Sequence, residues 1–154
     1  MNLLILKNFL ILANQAGYAS GEDKKWVKEP DGSTSIHYEN SEWKMYDNFF
    51  GGEPYGGRMI VFKNQKPFWM MVYYGWVEEG TPTKDVYSVL QGALRLMPEE
   101  APFRGPKEYK LDEFVYRNEW DGGIERYRGD ESINKNEVLI YKASYMGGLV
   151  DQVN

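Results

Sequence analysis

Hydrophobic positions recur with a helical period in two places and with period two through most of the remainder. At about 100° per residue, Ile5, Leu6, Phe9, Leu10, Leu12, Ala13 and Ala16 share one face. Lys7, Asn8, Asn14 and Gln15 share the other, and Gly17 follows as a stop. The pattern predicts an amphipathic helix docked on a core rather than a cleaved signal, which needs a basic start and an unbroken apolar run. The second helix is clearer. Val86, Val89, Leu90, Ala93, Leu94 and Met97 keep helical spacing, Thr81-Pro82 reads as an N-cap with proline at the first helical position, and Pro98 and Pro102 end the helix.

Alternation predicts strands over 36–39, 42–46, 58–63, 68–77, 108–119, 124–128 and 137–145, separated by Gly, Asn and Asp turns. Residues 17–34, with their glycines, Pro30 and a Glu-Asp-Lys-Lys run, read as loop. The expected fold is therefore α+β: about seven antiparallel strands and two helices in the order α-ββββ-α-βββ, in one domain over 1–154. In 68–77, Phe68, Met70, Val72, Tyr74 and Trp76 face one way and Trp69, Met71, Tyr73 and Val77 the other. Apolar residues on both faces predict a central strand covered on both sides.

Composition adds an aromatic surplus: 5 Trp, 12 Tyr and 7 Phe in 154 residues. These rings either fill the core or line a groove or interface. The net charge of −5 disfavours direct nucleic-acid binding and an anionic membrane surface. With no cysteine there are no disulfides, thiolate nucleophiles or cysteine metal sites, which is compatible with the cytoplasm. A zinc site would need three carboxylates beside the single histidine, His37, and alternation turns His37 away from Ile36 and Tyr38 to the solvent side. No metal or cofactor is expected.

Gly51, Gly52, Gly56 and Gly57 bracket Glu53-Pro54-Tyr55 without the Gly-Lys-Ser/Thr of a phosphate loop. They read as a tight turn and bulge. Arg104, held between Pro102 and Pro106, can clamp a carboxylate or phosphate, or tie its loop to a sheet edge. A faint repeat is also present. Phe49-x-Gly51-x-Glu53 is echoed by Tyr127-x-Gly129-x-Glu131, and Tyr73-Tyr74-Gly75 by Tyr145-Met146-Gly147. On that alignment Glu53 and Glu131 occupy equivalent corners, able to share a cleft for acid–base chemistry or to cap backbone amides.

Tyr46-Asp47-x-Phe49-x-Gly51-Gly52-Glu53, Gly57, Trp69-x-Met71-x-Tyr73-x-Gly75, Arg104-Gly105-Pro106-x-Glu108-Tyr109, Gly129-x-Glu131-x-Ile133 and Tyr141…Gly147-Gly148 occur in this order. Phe9-Leu10-x-x-Ala13 and Tyr18-Ala19 precede them. Together they resemble a bacterial domain family of unknown function, found as small stand-alone proteins and behind helix-turn-helix segments in predicted XRE-type transcriptional regulators. The resemblance implies sensing or binding. The chain departs from the family pattern at Arg58, where acidic residues are usual, at Val72, usually asparagine, and at Met146, often histidine. Those departures weaken a catalytic reading.

The sequence thus favours non-enzymatic binding of a small organic molecule in an aromatic-lined cleft. Trp69, Tyr73, Tyr46 and Tyr145 are expected as walls, and Asp47, Glu53, Glu131 and Arg104 as the polar groups. The alternatives are a protein-interaction module, including a homodimer using Leu4 and Ile11, and a hydrolase or lyase built on Glu53 and Glu131.

Overall fold

The computed structural model describes residues 2–18 and 26–153. The Glu22–Lys25 charge run and Ala19 of the family pattern lie outside the described residues. Helix α1 (Leu3–Tyr18) precedes five strands, β1 (Trp26–Lys28), β2 (Thr34–Asn40), β3 (Trp43–Phe50), β4 (Tyr55–Lys63) and β5 (Lys66–Val77). Helix α2 (Thr83–Leu94) follows, then β6 (Glu108–Leu111), β7 (Phe114–Gly123), β8 (Arg126–Lys135) and β9 (Val138–Leu149). All nine strands form one antiparallel sheet in the order β1-β2-β3-β4-β5-β9-β8-β7-β6.

The expected seven strands are thereby corrected to nine, and the order to α-βββββ-α-ββββ. One extra strand is β1, a three-residue edge strand inside the expected loop. The other arises because the expected 108–119 strand is two strands folded at Asp112-Glu113. Asp112 takes the left-handed conformation (φ 52°), so the turn needs neither glycine nor proline. The β7–β8 hairpin turns at Ile124-Glu125, just past Asp121-Gly122-Gly123, and the β8–β9 hairpin at Asn136-Glu137, where Asn136 (φ 48°) and Glu137 (φ 68°) are left-handed.

Both helices pack on one face of the sheet. Leu6, Phe9, Leu10 and Ala13 of α1 meet Trp43, Met45, Val61, Trp69 and Met71, while Val86, Val89, Leu90, Ala93 and Leu94 of α2 meet Tyr116, Ile133, Ile140 and Tyr141. The apolar stripe of α1 is narrower than its periodicity suggests, since Ile5 and Leu12 are exposed. Asn14, on the expected polar face, is buried and donates through Nδ2 to the carbonyl of Leu94 at 2.9 Å, joining the helices. At the start of α2 the cap residue is Pro82, with no side-chain cap bond, so the expected Thr81 cap is not formed.

Among the described residues nothing forms a second layer on the sheet's other face. On β5, Trp69 and Met71 are buried under α1, but Val72 and Tyr74 are exposed, so the expected double covering is absent here.

The sheet has an internal correspondence. At its centre β5 and β9 are antiparallel neighbours with Tyr73 opposite Tyr145. The spacing that relates Tyr73 to Tyr145 also relates the bounds of β5 to those of β9, Tyr55 to Tyr127, Gly57 to Gly129, Trp69 to Tyr141, and Gly75 to Gly147. It relates the register shift at Val61/Phe62 to that at Ile133/Asn134 as well. In the next strand the spacing slips by one residue: Asp47 stands opposite Met59 and Asn118 opposite Glu131, making Asn118 the counterpart of Asp47. The echo anticipated from sequence is therefore re-registered. Glu53-x-Tyr55-x-Gly57 matches Glu125-x-Tyr127-x-Gly129, and Glu131 is the counterpart of Met59, not of Glu53.

Candidate functional site

A buried polar cluster lies where the two halves meet beneath the helices. The Ala101–Gly105 segment delivers Arg104 into it, and Arg104 Nε donates to Glu131 Oε1 at 2.7 Å. Tyr116 donates its hydroxyl to the other oxygen of Glu131 and accepts the Gly105 amide at 3.1 Å. A fully buried carboxylate is tolerated because a guanidinium and a phenol both serve it. Arg104 Nη2 reaches the Tyr55 hydroxyl at 3.5 Å, and the Tyr55 and Tyr141 hydroxyls bond to each other. Burial, followed by the Glu131 charge, pushes the phenols of Tyr116 and Tyr141 well above their ordinary range, so both remain neutral.

Asp47 sits on β3 at the edge of this cluster, and Tyr73 on β5 donates to its Oδ1 at 2.6 Å. Burial raises the Asp47 carboxyl to about 6, against the opposing pull of the Tyr73 hydrogen bond and of Arg104. Its second carboxylate oxygen has no hydrogen-bond partner among the described residues. In the other half, Tyr145 donates to Asn118 Oδ1 at 2.8 Å, the counterpart of the Tyr73–Asp47 bond.

Asp47, Tyr73, Tyr55 and Arg104 form part of the lining of an open cavity of about 610 Å³ between α2 and the β2–β4 part of the sheet. Trp26, Phe49 and Tyr87 add rings, Ile36, Leu90 and Leu94 apolar surface, and Lys28, Thr34 and Gln91 polar atoms. The β3–β4 turn closes one end. There Gly51 adopts φ 81°, and a Cβ on it would stand 2.3 Å from the Pro54 carbonyl oxygen. Tyr87 of α2 holds the turn by donating to the Gly52 carbonyl at 2.7 Å and to Glu53. Volume, aromatic walls and a few convergent polar groups are the ordinary makeup of a small-molecule site.

The expected site residues divide. Asp47, Tyr73 and Arg104 come together at the cavity. Glu131 lies behind Arg104, and Tyr145 is buried on Asn118. Trp69 is fully buried and donates Nε1–H to the Ile124 carbonyl at 2.9 Å, so it is core rather than wall. Tyr46 is on the sheet's other face, edge-on to exposed His37 at 4.7 Å. Glu53 accepts the Val77 amide and the Tyr87 hydroxyl at the turn, the capping use of such a glutamate. Neither Glu53 nor Glu131 lines the cavity among the described residues. Tyr55, Tyr87, Phe49 and Trp26 were not among the expected site residues. Tyr55 carried a signal, since the matching Glu-x-Tyr-x-Gly strings at 53–57 and 125–129 point to it.

No group of three or more histidine or acidic side chains placed to hold a metal ion occurs among the described residues. Likewise, no helix there is long and apolar enough to cross a membrane.

A domain family described as a domain of unknown function (DUF5680) matches residues 47–150. The chain belongs to this family. The matched region opens at Asp47 and includes Tyr55, Tyr73, Tyr87, Arg104 and Glu131, hence the polar floor of the cavity and most of its rings. Arg58, Val72 and Met146, where the chain departs from the resemblance, form one row across the open face: Arg58 opposite Val72, Val72 opposite Met146. Comparison with curated proteins and with solved structures gave no match.

Proposed function

We propose that this protein binds a small organic molecule, without chemical conversion, in the cavity between α2 and the sheet. The observation that carries this reading is Asp47: a buried carboxylate with one oxygen held by Tyr73 and the other without a hydrogen-bond partner among the described residues, at the wall of an aromatic cavity of about 610 Å³. A group kept in this position against its own desolvation is typical of sites that serve binding. The test is a thermal-shift screen of a broad metabolite library on the protein and on Gln91→Trp, which fills the cavity from α2. A hit lost in the variant supports the reading; no hit, or a hit that survives the filling, refutes it.

A second reading is favoured by the open face. Exposed Val72 and Met146 stand side by side at the sheet's centre with exposed Tyr74 beside them, an apolar strip suited to a partner or a second copy of the chain. Light scattering across a concentration series tests the homodimer; a strict monomer removes it.

A further inference from the structure

The two halves share Tyr-on-glycine packing and a Tyr–Asx hydrogen bond, but they differ in what lies over them. In the second half the chain fills the space itself. Phe103 lies parallel on Tyr127, the counterpart of Tyr55, with centroids 3.9 Å apart and planes 7° from parallel. It also approaches Tyr145, the counterpart of Tyr73, at 6.5 Å. Beside it, Asn118 Nδ2 donates to the Gly105 carbonyl at 2.8 Å. In the first half the same framework of Tyr55, Tyr73 and Asp47 borders the open cavity of about 610 Å³. Between Tyr18 and Trp26 the sequence holds no aromatic residue.

We infer that the cavity takes a flat aromatic molecule bearing a neutral N–H donor, its ring stacked on Tyr55 as Phe103 stacks on Tyr127, and its donor on the second carboxylate oxygen of Asp47. The assignment rests on reading the cavity as a ligand site, and it names the ligand's chemistry. Where Asn118 presents an amide N–H to a carbonyl, Asp47 presents an acceptor oxygen, so the hydrogen-bond polarity is inverted and the partner must donate. The donor is neutral because Lys28 and Arg104 share the cavity wall with Asp47. The aromatic surface on Tyr55 and the neighbouring Tyr87, whose centroids are 6.3 Å apart, suits a flat ring over a branched aliphatic one.

The experiment measures binding of indole, quinoline and cyclohexylmethanol to the full chain at pH 8 by titration calorimetry. Indole donates from its ring nitrogen, quinoline only accepts, and cyclohexylmethanol donates but has no flat ring. Indole is expected to bind about tenfold or more tightly than quinoline, the worth of one hydrogen bond to a charged acceptor. Asp47→Asn is expected to reverse that preference, because its amide recreates the donor of Asn118, and cyclohexylmethanol is expected to show no saturable binding. In the unmodified protein, ring-current shifts on Tyr55 resonances with indole read the stacking without any substitution. Equal binding of indole and quinoline, an unchanged ratio in Asp47→Asn, cyclohexylmethanol matching indole, no binding by any of the three, or indole leaving Tyr55 unshifted would each overturn the assignment. None of these outcomes touches the cavity reading, which stands or falls on the library screen and Gln91→Trp.

Discussion

Replacing Asp47 by asparagine should make the protein more stable at alkaline pH and leave it unchanged in acid. The carboxyl is raised from 3.8 to about 6 chiefly by burial, which corresponds to about 3 kcal/mol against its ionised form in the folded state. The sign follows from linkage. The folded protein holds this proton more tightly than the unfolded chain, so the benefit of the protonated form is complete below pH 3.8 and is lost as pH rises through about 6. Asparagine keeps an oxygen for the Tyr73 hydroxyl, as Asn118 does for Tyr145, and has no charge to bury. At pH 8 the variant should therefore gain up to about 3 kcal/mol, and at pH 4 almost nothing. For a chain of this length that is a rise of roughly 6–12 °C in melting temperature. Urea denaturation of both proteins at half-unit steps from pH 4 to 8 gives the difference curve directly, free of every other titrating group. A curve that stays flat, or that falls with pH, would refute the reasoning. A gain would show that Asp47 is retained at the expense of stability, as binding groups often are.

Other perturbations follow from the same contacts. Arg104→Met leaves the Glu131 carboxylate buried beside Tyr116 without its cation and should cost about 3–5 kcal/mol in urea denaturation. Adding Glu131→Gln should recover part of that loss, and no recovery would show that the ion pair is not the cause. Tyr116→Phe removes the hydroxyl that serves both Glu131 and the Gly105 amide, and a loss of about 1.5–3 kcal/mol is expected by the same method. Gly147→Ala places a Cβ 2.0 Å from the Met70 carbonyl oxygen and should cost about 1–3 kcal/mol, whereas Gly17→Ala meets nothing within 4 Å and should be neutral or better.

Much of the fold was legible where one physical signal dominated. The stripe Val86, Val89, Leu90, Ala93 and Leu94 marks α2, and all five are buried. Most strand centres followed from alternation, but β8 runs to Lys135, past the expected end at 128, and strand number did not follow, because Asp112 turns the chain without glycine and β1 is only three residues long at an edge. Alternation sorts residues into two faces without saying which face is core. For that reason Trp69 and Tyr73, on the same face of β5, were both expected as cavity walls, although Trp69 lies under α1 and Tyr73 at the cavity. Asp47 and Arg104 were recoverable as polar residues among rings and prolines. Tyr55 was hidden inside a glycine cluster whose obvious feature is its turn. Glu53 and Glu131 drew attention as a pair, but register places them at different points of the repeat, which a short string match cannot reveal.

In the strand order β1-β2-β3-β4-β5-β9-β8-β7-β6, each neighbouring pair is consecutive in the chain except β5 and β9. Each half therefore zips up through local hairpins, and the long-range closure is gathered into one seam where Trp69 through Val77 meets Tyr141 through Leu149. A break in the exposed Glu79–Gly80 stretch would leave two fragments, each a run of sequential hairpins with its own helix, and their reunion would restore Arg104 of one to Tyr55 of the other. The molecule is thus organised as two pieces that complement each other, and its candidate ligand site spans the join.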